Sequence, residues 1–506
     1  MLTDGETKLM GHIRIAGSTR CGVPEFILII GVIAIVLTVT ALASGLVERS
    51  PLSFPMMFLG LGFLLGRGGL GANDIGPHSP LLEVVATLTL ALVLFLDAVK
   101  LQIAELGKGW LVPALVLGPG TGIIIGLGAV ALALLLGFPW LMAFIGGAIL
   151  ASTDPVVLRE IVRDGRIPRS VRQVLKFEAG TNDIIVLPAI LVLIAVARAQ
   201  AGGAAQWTVF MAKLLVLGPI IGFAIGGIGS WAMNKIDARM AIREEHQALY
   251  GVGLVLASYA GAVAVGGDGF LASFAAGVAV VVLNQSLCEC FLDFGEIASE
   301  MAMLLAFVLF GAVLSGILGS VAVGPALILA VLVIFLIRPP VLALVLSRAQ
   351  LSWEARAFVS WFGPRGLNSL LLALLVVQAG IPGSELLLAT IGVVVLASVT
   401  IHGASATPVS AWYGRRASRE ILEEEKEATV AGLFGQHAGE VPRVSVDELA
   451  ELMSGPNPPV ILDVRARASY DHDGSQIPGS VRVLPDQILE WAADLPEDRM
   501  VVAYCA

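Results

Sequence analysis

Five ionisable side chains interrupt the long apolar runs of this sequence, and they are the residues best placed to do chemistry. They are Asp97, Asp154, Glu178, Asp183 and Arg365. Each requires an explanation, because a charged group inside a membrane is costly and usually functional. Asp183 lies about 14 residues into its predicted helix, which is about 21 Å at 1.5 Å per residue. Reaching water from that depth would be strained, so these charges indicate a functional polar site.

The chemistry of ion binding is available around Asp183. Glu178 and Asn182 are four residues apart and share one helix face, with Asp183 on the adjacent face. A carboxylate beside a neutral amide suits a small dehydrated cation, and Asp183 can hold either a proton or the cation but not both. Glu178 needs a partner, and we expect Arg365 to be that deep arginine. The alternative left open is polar contact between packed helices, without ion binding.

Two predicted helices are interrupted at the depth of these charges. The Thr153–Pro155 segment breaks one, because proline leaves the Ala151 carbonyl without its helical donor. The Gly363–Gly366 segment interrupts another, seven spans later. An odd offset means that the two halves run in opposite directions, as in transporters built from inverted repeats with broken crossing helices. Asp154 and Arg365 would then compensate the exposed helix dipoles, whereas the alternative is two simple kinks.

The elements that position these residues are a long series of apolar helices. Of the 506 residues, 57% are hydrophobic and 14% charged, whereas a soluble domain has about 25% charged residues. Because about 20 apolar residues cross a bilayer, we predict an all-α polytopic membrane protein with about thirteen spans. The predicted spans are 24–46, 50–66, 81–100, 110–136, 139–162, 170–198, 207–232, 245–265, 268–286, 297–318, 322–346, 354–379 and 384–407. The net charge of −9 comes largely from the C-terminal tail and gives no indication of nucleic-acid binding.

Basic residues predict the orientation, because Lys and Arg collect in cytoplasmic loops. They cluster after spans five, seven, eleven and thirteen, which are alternate connections on one side of the membrane. We therefore predict a multi-pass protein of the inner (plasma) membrane, in contact with lipid and with a cytoplasmic C-terminal tail. An odd number of spans places the N-terminus outside, against the mild opposing signal of Lys8, Arg14 and Arg20.

Taken in order, the Thr153–Pro155 segment, Glu178 with Asn182 and Asp183, and the Gly363–Gly366 segment resemble the NhaP-like branch of the sodium/proton antiporters. The resemblance covers roughly residues 24–410. It implies exchange of a monovalent cation for H⁺ by alternating access, with Na⁺ expected first and K⁺ or Li⁺ as alternatives. It also implies a homodimer of thirteen-helix protomers, which needs no cofactor beyond the transported ions.

The resemblance implies a role for each residue of the ion site. Asp183 would carry the cation and the proton in turn, and Asn182 would mark electroneutral, one-for-one exchange. Thr153 and Asp154 would build the site at the first helix break, and Asp97 would reach the ion from the third span. On this basis the monovalent cation would be bound by Asp183, Thr153 and Asp97.

The same resemblance implies a structural ion pair between Glu178 and Arg365. The sequence departs from the family at two positions. Ala179 stands where the family often has serine, which removes a hydroxyl ligand, and Asp97 is shorter than the usual glutamate. Both departures leave the identity of the cation open.

The C-terminal tail has the character of a soluble domain. A short apolar run that ends in Asp463 and Arg465, the Gln476–Ser480 turn and the strand end before Cys505 resemble the rhodanese family. In that family the cysteine opens a loop whose N–H groups bind a persulfide and activate the thiol. Because this sequence stops one residue after Cys505, we expect no sulfurtransferase activity from it.

The sequence thus predicts four regions, with a partial α/β rhodanese-like domain as the last. They are an N-terminal segment (1–23), a transmembrane antiporter domain (24–412), a linker helix (413–440) and the partial rhodanese-like domain (441–506). Two other functions remain as alternatives to antiport. One is a cation channel or uniporter without proton coupling, and the other is a membrane-anchored sulfurtransferase.

Overall fold

A computed structural model gives a mostly helical membrane domain and a small α/β domain in the tail. The residues that it describes are 31, 34–35, 38–39, 42, 53–71, 75–100, 114–154, 158, 161–162, 164, 166–198, 204–348, 351–417, 444–455, 458–465, 470, 475–484, 487–493, 495–496 and 499–504. Most of the first predicted span, most of the predicted linker and Cys505 lie outside these residues.

The membrane domain contains fifteen described helices. The first eight are α1 (Phe54–Leu65), α2 (Pro80–Val99), α3 (Thr121–Leu136), α4 (Trp140–Ala151), α5 (Arg169–Ala197), α6 (Ala204–Ala212), α7 (Gly218–Met240) and α8 (Glu244–Ala264). The others are α9 (Gly269–Leu283), α10 (Gln285–Ile317), α11 (Val323–Val331), α12 (Arg338–Val345), α13 (Trp353–Trp361), α14 (Leu367–Gln378) and α15 (Ser384–Ala417). Wider π-helical turns lead into α3 and join α6 to α7 and α11 to α12 at Val116–Gly120, Lys213–Leu217 and Leu332–Ile337.

The predicted all-α membrane fold is confirmed. Within the described ranges, eight continuous helical runs are long and apolar enough to cross a membrane, and four shorter apolar helices accompany them. These twelve elements match the second to the thirteenth predicted spans in order. The four shorter ones include α4 and α14, which end and begin at the two predicted breaks.

One helix begins well before its predicted start. Helix α10 starts at Gln285, whereas the apolar run in the sequence predicts a span from residue 297. The added turns carry polar residues, and one of them, Glu296, forms an ion pair of 2.9 Å with Lys100 at the end of α2. Apolarity marks the part of a helix that lies in lipid, so it misses turns that continue the helix among charged neighbours.

Small residues allow several helices to pack with their backbones in contact. Gly222 and Gly226 of α7 face Ala272 and Ala276 of α9 so closely that an added Cβ would overlap the opposite backbone. Gly62 of α1 packs in the same way on α10. Because lipid provides no hydrophobic drive between helices, such close van der Waals packing is a main source of their association.

The tail forms a small parallel sheet flanked by helices. Strands β1 (Val460–Asp463), β2 (Val481–Arg482) and β3 (Val501–Tyr504) pair in the order β2-β1-β3, and both pairings are parallel. Helices α16 (Val446–Ser454) and α17 (Ile488–Ala493) complete the described part. The central strand is the apolar run that the sequence predicts, and it buries Leu462 in the small core.

Candidate functional site

The two broken helices meet inside the membrane domain. Helix α4 ends at Ala151, and α14 begins at Leu367 after the second break. Between these points the backbones touch, because the amide of Asp154 donates to the carbonyl of Pro364 over 2.9 Å. The structure therefore brings together two segments that are more than 200 residues apart in the sequence.

The charge at each break lies at the helix end made by the other break. Asp154 accepts a hydrogen bond of 2.5 Å from the amide of Leu367, at the positive N-terminal end of α14. Arg365 donates over 3.2 Å to the carbonyl of Ser152, at the negative C-terminal end of α4. The predicted compensation of the half-helix dipoles is confirmed, and it occurs across the crossing rather than within each helix.

The second break is held by side chains that bind its exposed carbonyls. The Trp361 carbonyl contacts His402 Nε2 over 3.1 Å. The Phe362 carbonyl accepts from Arg338 Nη2 over 2.8 Å. The Gly363 carbonyl accepts from Arg365 Nη1 over 3.2 Å. A helix that stops in an apolar region leaves such carbonyls without partners. The three side chains supply those partners and fix the shape of the break.

Asp183 lies beside the crossing and is almost fully buried, with 1% of its surface exposed. The hydroxyl of Ser152 donates to its Oδ1 over 2.6 Å, and the amide of Asn368 donates to its Oδ2 over 2.7 Å. One partner follows α4 and the other begins α14, so both breaks contact this carboxylate. The sequence predicts the importance of Asp183 but identifies neither partner; for Asn368, the signal was its place in the first turn after a break.

Asn182 binds the first break. Its Nδ2 donates to the carbonyl of Ala151 over 2.7 Å and to the hydroxyl of Thr153 over 3.3 Å. The Ala151 carbonyl is the one that the break was predicted to leave without a helical donor. Asn182 therefore provides the missing donor, and its own carbonyl oxygen remains available.

Three buried oxygens near this crossing have no hydrogen-bond partner in the part of the chain that the structure describes. They are Asn182 Oδ1, Asn368 Oδ1 and Asp97 Oδ2. Asp97 projects from α2 toward Gly180 of α5, where an added Cβ would lie 4.0 Å from the Asp97 Cβ. All three atoms accept hydrogen bonds, and oxygen acceptors are the ligands of hard cations. These oxygens are therefore candidate ligands for a dehydrated cation.

The predicted ion pair between Glu178 and Arg365 is wrong. Glu178 pairs instead with Arg338, through contacts of 2.7 and 3.1 Å, and both side chains are almost fully buried. Arg365 is not available because its guanidinium binds the carbonyls of Ser152 and Gly363. The sequence carried a signal for the correct partner, since Arg338 lies deep inside a predicted apolar span and precedes two prolines.

The described residues contain no group of three His, Cys, Asp or Glu side chains arranged to hold a metal ion. The oxygens gathered at the crossing belong instead to carboxylates, amides and hydroxyls. Such a mixed set can bind a monovalent cation when Asp183 is ionised. When Asp183 is protonated the cation is absent, because both ions need the same carboxylate.

The tail has a separate polar cluster at the end of β1. Arg465 pairs with Asp463 over 2.6 Å, donates to the carbonyl of Ser475 over 2.9 Å and lies over the ring of Tyr470. Burial acts to raise the pKa of Asp463, but the hydrogen bonds from Arg465 outweigh it and hold that pKa below its ordinary value. Cys505, the predicted reactive residue, lies outside the described residues.

Comparison with known protein families agrees with this geometry. Residues 33–412 match the family described as sodium/hydrogen exchanger, transmembrane, and residues 445–506 match the rhodanese-like domain. The first match covers most of the chain. The protein therefore belongs to the sodium/hydrogen exchanger family and carries a rhodanese-like domain at its C-terminus.

The chain is also similar to individual curated relatives. It is 28% identical over 395 residues to the K(+)/H(+) antiporter NhaP of Alkalimonas amylolytica, which covers 76% of this chain and 66% of that protein. It is 27% identical over 379 residues to the K(+)/H(+) antiporter NhaP2 of Shewanella sp. (strain ANA-3), with 74% and 65% covered. The chain thus spans about two thirds of the length of these curated relatives.

The fold resembles a solved antiporter structure. The sodium proton antiporter MjNhaP1 from Methanocaldococcus jannaschii at pH 8 superimposes with a TM-score of 0.61 at 20% sequence identity. The alignment covers 77% of this chain and 98% of that structure. At this identity the comparison shows a shared fold.

Proposed function

We propose that this protein exchanges a monovalent cation for H⁺ across the membrane by alternating access, with both ions competing for Asp183. One observation carries the proposal. Asp183 is a buried carboxylate that contacts both broken helices, and unpartnered buried oxygens lie around the same crossing. Membership of the sodium/hydrogen exchanger family and the names of the relatives support the same exchange reaction.

The proton and the cation cannot occupy Asp183 together, for a chemical reason. When Asp183 is ionised, its oxygens accept from Ser152 and Asn368 and can also bind a cation. When Asp183 is protonated, one oxygen becomes a donor and the attraction for a cation is lost. A carrier that returns only when Asp183 is loaded with one ion or the other must exchange them.

The other polar side chains of the crossing support the site in this proposal. Asp154 and Arg365 stabilise the half-helix ends, and Glu178 and Arg338 tie α5 to α12. Thr153 positions Asn182, and Asp97 supplies an oxygen from α2. No resident cofactor is required, because the transported ions are the only reactants.

Transport measurements, rather than the names of related proteins, will identify the cation. The curated relatives are named for K⁺ and the structural neighbour for Na⁺. Sodium is our first candidate, with potassium and lithium as alternatives. We also propose a homodimer in the inner (plasma) membrane, with the C-terminal tail on the cytoplasmic side.

Transport into proteoliposomes tests the function directly. Vesicles with an acid interior and a trapped pH dye receive sodium, potassium or lithium outside, and interior alkalinisation reports exchange. The variant is Asp183→Asn, and its control is Asp268→Asn, which changes the same group at the N-cap of α9. Asparagine caps a helix about as well as aspartate, so the control should transport like the wild type.

Each outcome has a definite meaning. Alkalinisation with one cation, lost only in Asp183→Asn, supports antiport at this carboxylate and names the ion. Cation uptake without proton movement would favour the channel or uniporter alternative. Equal exchange by Asp183→Asn and the wild type would refute the assignment of the carrier.

A further inference from the structure

Asn368 is the least expected polar residue of the crossing. It lies in the first turn of α14, directly after the second break, and its side chain has 0% of its surface exposed. Its Nδ2 donates to Asp183 Oδ2 over 2.7 Å. An apolar side chain would suit the surrounding core, so the amide needs a reason beyond packing.

The carbonyl oxygen of Asn368 supplies that reason. It is buried and has no hydrogen-bond partner among the described residues, although the amide nitrogen is well bound. A buried acceptor without a donor is unfavourable, and such groups call for an explanation such as a bound ion. A partner that comes and goes with the transport cycle meets this requirement.

Two such partners are available at Asp183. A cation bound to the carboxylate would find the Asn368 oxygen as a neutral ligand from the second broken helix. A proton on Asp183 would let the amide turn over, so that its oxygen accepts from the carboxylic acid. An asparagine side chain can serve both states, because it carries a donor and an acceptor on one rotatable group.

We propose that Asn368 is a ligand of the transported cation and contributes to cation affinity from the second broken helix. This inference rests on the proposed exchange at Asp183 and adds a residue to it. Asn182 offers a second unpartnered amide oxygen from α5. Besides Asp97, the cation would then be held by the Asp183 carboxylate and two amide oxygens. Asn182 and Asp183 are neighbours on α5, and Asn368 lies on α14.

The ligand set has a mechanical consequence. Ser152 lies at the first break, and Asn368 follows the second. Loading at Asp183 therefore changes contacts on both broken helices at once. The role of Asn368 is distinct from that of Arg365, whose guanidinium binds backbone carbonyls and does not contact Asp183 through any hydrogen bond described here.

The test compares three variants in the same proteoliposome assay. Asn368→Leu removes the oxygen at similar volume, Asn368→Thr keeps a neutral oxygen that can also donate to Asp183, and Gln378→Leu removes an amide at the far end of the same helix. The apparent KM for the cation should rise by about tenfold or more in Asn368→Leu, the effect of losing one good contact. Asn368→Thr should recover most of that loss, and Gln378→Leu should match the wild type.

A binding measurement separates a ligand from a structural role. The transported cation should raise the apparent Tm of the purified protein in detergent, because a ligand that binds only the folded state stabilises it. Asn368→Leu should lose most of this cation-dependent Tm shift. Its Tm in the absence of cation should stay close to that of the wild type. Asn368→Thr should keep the shift.

The outcomes distinguish this inference from the proposed function. Wild-type KM and a wild-type cation-dependent Tm shift in Asn368→Leu would overturn the ligand role while antiport at Asp183 stands. A failure of Asn368→Thr to recover cation binding, despite normal folding, would also overturn it. An absence of cation-driven proton movement in the wild type would overturn the proposed function, and the inference with it.

Discussion

At the scale of single residues, the buried charges differ in how they are neutralised. Glu178 has Arg338 as a partner of opposite charge, and Asp154 accepts from the N-terminal end of α14. Asp183 instead receives hydrogen bonds from two neutral groups, on Ser152 and Asn368. A carboxylate without a fixed countercharge in contact is free to take one from solution. This difference supports the proposal that Asp183 is the carrier.

The pair of Glu178 and Arg338 leads to a prediction about stability. Removing one partner of a buried ion pair leaves an uncompensated charge and costs about 3–5 kcal/mol. Arg338→Met should therefore lower the Tm in detergent strongly, whereas adding Glu178→Gln to it should cause little further loss. A double-mutant cycle measures this coupling, which should exceed about 1 kcal/mol.

Arg365 provides the comparison for that cycle. Its guanidinium binds the carbonyls of Ser152 and Gly363 rather than the Glu178 carboxylate. The cycle between Glu178→Gln and Arg365→Met should give a clearly smaller coupling energy than the cycle with Arg338→Met. Equal or greater coupling to Arg365 would contradict the pairing seen in the structure.

The sequence predicts the charged residues of the site better than their partners. Asp183 and Asp154 stand out because a charge in an apolar run is rare and requires a reason. Asn368 is less conspicuous, because a single amide near a helix start has many ordinary uses. Arg338 also carries a charge, but it lies nearer to an end of its predicted span than Arg365 does. Which arginine reaches Glu178 depends on how α12 and the second break pack, and that information is not local in sequence.

At the scale of elements, the two broken helices are built to fit each other. A side chain at Gly366 would overlap the Asp154 carboxylate, and one at Gly363 would overlap the Arg338 guanidinium. Each glycine therefore admits a charged group to the backbone of the second break. The charged group in turn binds the groups that the break exposes, which are the Leu367 amide and the Phe362 carbonyl.

Gly366→Ala should disrupt the crossing. The new methyl group would displace Asp154 from the N-terminal end of α14, so we expect loss of exchange and a lower Tm. The control is Gly126→Ala in α3, where an added Cβ meets nothing within 4 Å. Alanine favours a helix by about 0.5–1 kcal/mol over glycine, so the control should be neutral or slightly more stable.

The result is read from Tm in detergent together with the initial rate of exchange. Normal exchange and normal Tm in Gly366→Ala would show that Asp154 does not need its place at this helix end. A large loss in Gly126→Ala as well would show that the assay responds to glycine substitution in general.

The breaks themselves were predictable from local rules. Proline and glycine interrupt helices, and a charge beside each interruption indicated a functional reason rather than a simple kink. The crossing was predicted from the odd offset of the two breaks, and the hydrogen bond between Asp154 and Pro364 confirms that they meet. The additional N-terminal turns of α10 were not predictable in this way, because polar turns outside lipid leave no apolar signal.

At the scale of the whole molecule, the sum of buried charges bears on stoichiometry. Glu178 and Arg338 cancel, and Asp154 and Arg365 remain bound to helix ends in the crossing. If these four keep their charges through the cycle, only Asp183 changes its load. Exchange of one H⁺ for one monovalent cation at Asp183 leaves the net charge of the carrier the same in both loaded states.

We therefore predict that exchange is electroneutral. A permeant anion such as thiocyanate collapses any membrane voltage and accelerates transport only when net charge moves. Its addition to proteoliposomes should leave the initial rate of cation-driven alkalinisation unchanged. Stimulation by thiocyanate would instead reveal a second proton, and Asp97, whose Oδ2 has no hydrogen-bond partner among the described residues, is the group to examine. In that case Asp97→Asn should abolish the stimulation but retain exchange, whereas persistent stimulation in Asp97→Asn would place the second proton elsewhere in the crossing.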